Sequence, residues 1–226
     1  MMLRAAIRAM VEAARAARLS GAARADCERE AVRYFETAEM LIEPLQPMLI
    51  GIGGLSGSGK STLARHLGPG CCRPPGAVVL RSDLERKGMF GVPDTDRLPR
   101  DAYEPEVTAA VYHRLCNKAR AALAAGHGVI FDAVFAREDE RQALARVAEA
   151  VEVPFVGIWL DAPANLLIER VSARIDDASD ADAAIVTRQL GYDLGSLDWH
   201  RIDASGPFEA TLAEALRVLA GETGGH

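Results

Sequence analysis

Apolar and polar residues recur along this chain with two different periods. Leu3, Ile7, Met10, Val11 and Ala14 fall at helical spacing, which predicts amphipathic helices over residues 2–19 and about 25–43, ending at a Pro44/Pro47 break. From residue 48 onward, short apolar runs alternate with longer stretches of helical period. The runs 48–52, 77–81, 127–132, 153–160 and 199–203 have the length of strands. Helices are predicted from Ser61 to Leu67, from Ser82, over 104–125 and 137–150, from Ala164 to about Ile175, after Asp182, and over 208–220. Ser82 and Glu85 carry a capping-box signature, and Ser179 is the expected cap of the helix that follows the acidic stretch 176–182. Residues 91–102 are a polar surface loop.

Strands that alternate with helices imply an α/β fold with a five-stranded parallel sheet sandwiched by helices. The expected organisation is a helical N-terminal arm over 1–47, a core domain over 48–220 and a disordered tail over 221–226. Such a sheet places ligands at the carboxyl ends of its strands.

Composition narrows the class. The chain has 226 residues, 49% hydrophobic and 26% charged, as in ordinary soluble domains, and its longest apolar runs cannot span a bilayer. Residues 1–24 are rich in Ala and Arg with a single acid, Glu12, a pattern shared with transit peptides. Over 1–47, however, seven arginines balance seven acids, so the whole net charge of −6 lies on 48–226. The arm is therefore read as structural. The acidic balance argues against broad electrostatic binding to nucleic acid and leaves room only for a local basic groove. Cys27, Cys71, Cys72 and Cys116 form no zinc-type pairs and no disulfide framework, which points to a reducing cytoplasm.

The stretch from Gly54 to Ser61 matches G-x-x-x-x-G-K-[ST] at every fixed position, between a predicted strand and a predicted helix. Gly54, Gly57 and Gly59 permit backbone angles that turn consecutive N–H groups inward around phosphate oxygens, with Leu55, Ser56 and Ser58 between them. Lys60 would reach the β- and γ-phosphates, Ser61 would ligate Mg²⁺, and Thr62 continues the loop into the helix. A nucleoside triphosphate is the expected ligand.

Three predicted strands end in an acid: Asp83, Asp132 and Asp161. Asp132, after four strand residues, suits Mg²⁺; Asp83 suits the acceptance of a proton from an attacking hydroxyl, with decoration of a helix start as its alternative. Asp161 precedes Ala162-Pro163 and reads as a turn residue. Phosphoryl transfer needs further cations, and Arg170 and Arg174 share one helix face in a position suited to a lid, or else pair with neighbouring acids. Arg86 could orient an acceptor or lie solvated on the surface; Arg137 and Arg141 are weaker candidates. Arg97, Arg100, Tyr103 and Tyr112 are the candidates for an acceptor pocket.

Gly-Leu-Ser-Gly-Ser-Gly-Lys-Ser-Thr, Leu-Arg-Ser-Asp-Leu-Glu-Arg-Lys and Gly-Val-Ile-Phe-Asp-Ala-Val-Phe together resemble the small P-loop kinases. That group holds polynucleotide kinases, zeta-toxin-like kinases, gluconate kinases and chloramphenicol phosphotransferases. The closest likeness is to bacterial kinases often fused behind an aminoglycoside-phosphotransferase-like domain, through residues 177–183, 198–204 and Tyr-Phe-Glu-Thr-Ala before the core. The resemblance implies a P-loop NTPase fold, ATP and Mg²⁺ as cofactors, Asp83 as general base, Arg86 as an acceptor contact and Arg170/Arg174 as lid arginines. It also implies that the N-terminal arm could dock a partner domain. The expected activity is transfer of the γ-phosphate of Mg-ATP to a hydroxyl of a small molecule. A nucleotide-dependent switch and a 5′-hydroxyl polynucleotide kinase are the alternatives.

Overall fold

The computed structural model describes residues 1–41, 46–72, 74–173 and 178–223, with 222 and 223 described by their backbone alone. It divides into two compact units, residues 1–45 and 46–226. The first is a hairpin of α1 (Met2–Ala16) and α2 (Gly21–Met40), each ending earlier than the periodicity predicts. The seam of this hairpin is built from small residues: α1 buries Ala5, Ala9 and Ala16, and α2 buries Cys27 and Ala38. The predicted apolar stripe is not that seam, because the hairpin leaves Leu3, Ile7, Met10 and Val11 exposed. Small side chains let two helix backbones approach closely, so alanines win the contact although they carry less apolar area.

The second unit is the expected α/β core. Its five parallel strands are β1 (Leu49–Gly53), β2 (Val78–Arg81), β3 (Val129–Asp132), β4 (Phe155–Asp161) and β5 (His200–Asp203), in the order β2-β3-β1-β4-β5. Between and after them run α3 (Lys60–Leu67), α4 (Ser82–Phe90), α5 (Pro105–Ala124), α6 (Glu138–Ala150), α7 (Ala164–Ser172), α8 (Ala183–Gln189) and α9 (Phe208–Thr223). The core helix α9 continues past Gly221, where the chain pattern predicts a loose tail; residues 224–226 lie outside the described part.

Strand β1 is fully buried and central, so both of its faces must find partners. Ile50 and Ile52 point to a layer with Leu63 and Leu67 of α3 and with Ala215 and Leu219 of α9. Leu49 points to the opposite layer with Phe131, Leu115, Leu123 and Leu144. On that second face Gly51 and Gly157 are register partners, and together they form a slot for Trp199. A Cβ on Gly157 would lie 2.4 Å from the indole, and one on Gly51 would lie 2.7 Å from it. Glycine is required at both positions because the Trp199 indole fills the space a Cβ would need.

Two predicted caps are replaced. Ser82 lies inside α4, whose N-cap is Arg81, and Glu85 is turned away to pair with Arg114 and Lys118 of α5. The cap of α8 is Asp182, which accepts from the Ile185 N–H at 3.0 Å; Ser179 instead reaches the Asp83 carboxyl. A 3-10 turn, Arg100–Tyr103, interrupts the end of the expected polar loop.

Candidate active site

The loop from Gly54 to Gly59 leaves β1 and enters α3 at Lys60. Gly54, Gly57 and Gly59 all have positive φ, at 138°, 89° and 95°. At Gly57 space forbids a side chain as firmly as the torsion does, since a Cβ would stand 2.5 Å from the Leu167 carbonyl oxygen. The first N–H groups of α3 have no partner within the helix, so this end presents donors and the positive pole of the helix. Lys60 Nζ folds back on the Leu55 carbonyl at 2.9 Å. Ser56 N–H donates to Gln189 Oε1 at 2.8 Å, tying α8 to the mouth of the loop. Leu167, Val171 and Val186 pack with Leu55 on the same side.

The ends of β2 and β3 bring the acids. Register pairs Arg81 with Asp132 and Ile52 with Asp132, which sets Asp132 beside the loop. Ser61 Oγ donates to Asp132 Oδ2 at 2.6 Å, and Arg81 Nε lies 3.3 Å from the same oxygen. Arg81 also donates to Ser61 Oγ at 3.2 Å. These are hard oxygen donors, and Mg²⁺ is bound through one or two carboxylates completed by phosphates and water. Ser61 and Asp132 fit that ion with a nucleotide present. Among the described residues no group of three or more His, Cys, Asp or Glu could hold a metal by protein ligands alone.

Asp83, in the first turn of α4, shares a cavity of about 840 Å³ with Lys60, Ser61 and Asp132. Burial, then the charge of Asp132, raises its pKa above the ordinary carboxylate value, against Lys60, Arg81 and the Ser179 hydrogen bond. Beyond Asp83 the cavity continues past Arg86, Tyr103, Tyr112 and Glu140. Arg86 is buried rather than solvated: it donates to the Ala102 carbonyl at 2.6 Å and stacks 4.9 Å from the centre of the Tyr103 ring. Tyr112 is fixed by accepting the Phe135 N–H at 3.1 Å.

The far wall is a segment that sequence reading missed. Asp180 accepts from the Leu98 N–H at 2.9 Å and the Tyr103 hydroxyl at 2.7 Å, and pairs with Lys87 Nζ at 3.1 Å. Lys87 and Asp180 are almost sealed, with side chains 1% and 8% exposed. Burial pushes the Asp180 carboxyl up, but these three partners together hold it below its usual range. From α8, Arg188 reaches the cavity wall.

The predicted cations fare differently. Arg170 sits in the last turn of α7 and does not line the cavity, and Arg174 lies outside the described residues; an arginine that does line it is Arg188. Arg97 and Arg100 are exposed and away from it. Arg137 lines the cavity but is bound bidentately by Asp139, at 3.0 and 2.7 Å. Arg141 is buried and spent on the carbonyls of Phe135, Ala136, Leu194 and Ser196. Asp161 pairs with Arg201 at the surface. The signal for Arg188 and Gln189 was absent because α8 is short and its position depends on tertiary packing. Arg81 is legible as the last residue of a predicted strand, but its place beside Asp132 depends on the strand order.

The sequence profile of the AAA domain family matches residues 49–192. The chain belongs to that family. It is 32% identical over 225 residues to an uncharacterized protein of Mycobacterium tuberculosis H37Rv; the match covers 95% of the chain and 42% of that protein. The chain therefore spans less than half the length of this relative. It is 33% identical over 125 residues to an adenylyl-sulfate kinase of Myxococcus xanthus, covering 54% of the chain and 62% of that enzyme. The crystal structure of a gluconokinase from Sinorhizobium meliloti superposes with a TM-score of 0.54 at 22% identity, over 78% of the chain and 93% of that structure. This last likeness is one of fold. In the AAA-domain core no described helix is long and apolar enough to cross a membrane, and the same holds of the other described residues.

Proposed function

We propose that the chain is an ATP-dependent phosphotransferase that moves the γ-phosphate of Mg-ATP to a hydroxyl of a small-molecule acceptor. What carries this is a single observation: the phosphate loop and Asp83, a carboxyl with raised proton affinity, open into one cavity. A pure nucleotide switch has no use for a carboxyl of raised proton affinity in the cavity that the phosphate loop lines. The M. xanthus and S. meliloti proteins carry two different kinase names, which supports a small-molecule kinase and leaves the acceptor open.

The loop amides and Lys60 would hold the phosphates, and Ser61 and Asp132 would hold a magnesium ion. A magnesium ion held there would supply neutralisation of phosphate charge. Asp83 takes the proton of the acceptor hydroxyl as its oxygen bonds to the γ-phosphorus; the bond to the β–γ bridging oxygen breaks and ADP leaves. Arg86 stiffens the acceptor wall through Tyr103, and Arg188 brings positive charge from α8. Tyr103 and Tyr112 give the acceptor ring faces, and Glu140 gives it a carboxyl that burial pushes up.

The test is the fate of γ-labelled ATP with Mg²⁺ and a panel of sugars, nucleosides, aminoglycosides and 5′-hydroxyl oligonucleotides. Label on one class of small acceptor is the expected result, and Lys60→Ala should abolish it. Label released only as free phosphate, at a rate no acceptor changes, overturns the proposal. Label on the oligonucleotides alone would assign a polynucleotide acceptor instead.

A further inference from the structure

The arginine that ends β2 has no part in the scheme above, yet it lies in the middle of it. Parallel register sets Arg81 directly opposite Asp132. Its guanidinium then touches both groups that fit the metal, Asp132 Oδ2 at 3.3 Å and Ser61 Oγ at 3.2 Å. Its field also favours the charged form of Asp83. The side chain is only 16% exposed and that of Asp132 5% exposed, so water screens these charges weakly.

An arginine needed only to neutralise Asp132 would be satisfied by a bidentate carboxylate fork. Arg81 reaches the Asp132 carboxylate and also the Ser61 hydroxyl at the start of α3, the two groups beside which the terminal phosphates of a nucleotide in the loop would lie. Its delocalised charge and several donors suit phosphate oxygens as well as carboxylate ones.

We propose that Arg81 is a phosphate-contacting residue: a built-in cation at the metal edge of the site that holds Ser61 and Asp132 in place and engages the terminal phosphate of the nucleotide. The assignment rests on the phosphotransferase reading, because it takes a triphosphate in the loop as given. With such a cation the site retains part of its grip on ATP when the divalent ion is removed. Arg81 and magnesium then act on overlapping charge, so each matters most when the other is missing.

The experiment is calorimetric titration of the full chain with ATP, in Mg²⁺ and separately in EDTA, for the wild type, Arg81→Gln and Arg81→Lys. A charge-assisted hydrogen bond to phosphate corresponds to about a tenfold change in affinity. Arg81→Gln should therefore lose about tenfold or more in EDTA, and less than about threefold in Mg²⁺. Arg81→Lys, which keeps a point charge, should recover most of the EDTA loss. Melting curves of the free variants identify any that fails to fold, in which case Arg81→Lys carries the test through its own EDTA-to-Mg²⁺ ratio. Equal losses in the two buffers, or wild-type binding that vanishes with EDTA, would overturn the role of Arg81 and leave the phosphotransferase standing. No ATP binding even with Mg²⁺ would overturn both.

Discussion

Asp83 shows how one side chain can be costly to the fold and useful to the reaction. Its carboxyl is raised because burial and Asp132 both disfavour the anion. In the unfolded chain the same group titrates near pH 4. The folded protein therefore holds a proton that the unfolded chain has already lost, and stability falls as pH rises from the unfolded pKa through the folded one. At neutral pH Asp83→Asn should melt above the wild type, with the gain shrinking as pH falls to about 4. The same variant should bind ATP normally and lose about 10²–10⁴-fold in the rate of transfer. Wild-type kcat/KM should fall on the acid side with an apparent pKa above that of an ordinary aspartate. An Asp83→Asn enzyme with unchanged transfer would remove Asp83 from the mechanism. Asp83 was expected at a strand end and lies two residues past one, in the first turn of α4; its place near the loop was legible because strand-to-helix turns share one edge of a parallel sheet. The cations could not be sorted that way. Arg86, Arg137 and Arg141 look alike in sequence, and only packing commits one to a ring and a carbonyl, one to Asp139 and one to four backbone oxygens.

Polar staples join elements around this site. The stretch before α8 is fixed to α4 and to the loop before the 3-10 turn through Asp180, whose partners are the Lys87 ammonium, the Tyr103 hydroxyl and the Leu98 N–H. Removing one partner of a sealed pair leaves an uncompensated charge, at about 3–5 kcal/mol. Asp180→Ala should lower stability by about that much in chemical denaturation, because Lys87 would keep only the Asp94 carbonyl, at 2.7 Å. Since the Asp180 carboxyl is held below its usual range, its contribution is complete above the unfolded pKa near 4 and is lost as pH falls through the lower folded value. The wild-type minus Asp180→Ala difference should thus narrow only in strong acid. A variant as stable as the wild type at neutral pH would show that the staple contributes nothing net. The caps around these elements were misassigned for a related reason. Ser82 and Glu85 have the right spacing for a capping box, but two cations on α5 compete for Glu85 and win. A local signature yields where a tertiary ion pair is on offer.

At the scale of the molecule, alternation of strand and helix was enough to give the parallel sheet, since a βαβ chain can bury its strands in few ways. The strand order and the Trp199 slot over Gly51 and Gly157 depend on cross-strand register, which no single window of sequence contains. The division of labour between the two units follows from where the site residues fall. Every residue named in the cavity belongs to the unit of residues 46–226, together with the whole sheet. A ligand that binds only the folded state stabilises it by mass action, about 2.7 kcal/mol at a hundred times its Kd. For a domain of this size that corresponds to a rise in Tm of about 5–10 °C. Mg-ATP should produce such a rise in the full chain, and Lys60→Ala should remove it. A variant lacking residues 1–45 should melt cooperatively and keep the same rise, because no group proposed to touch nucleotide is lost. If the truncated chain folds but no longer responds to Mg-ATP, the hairpin takes part in nucleotide binding and the site is larger than residues 46–226.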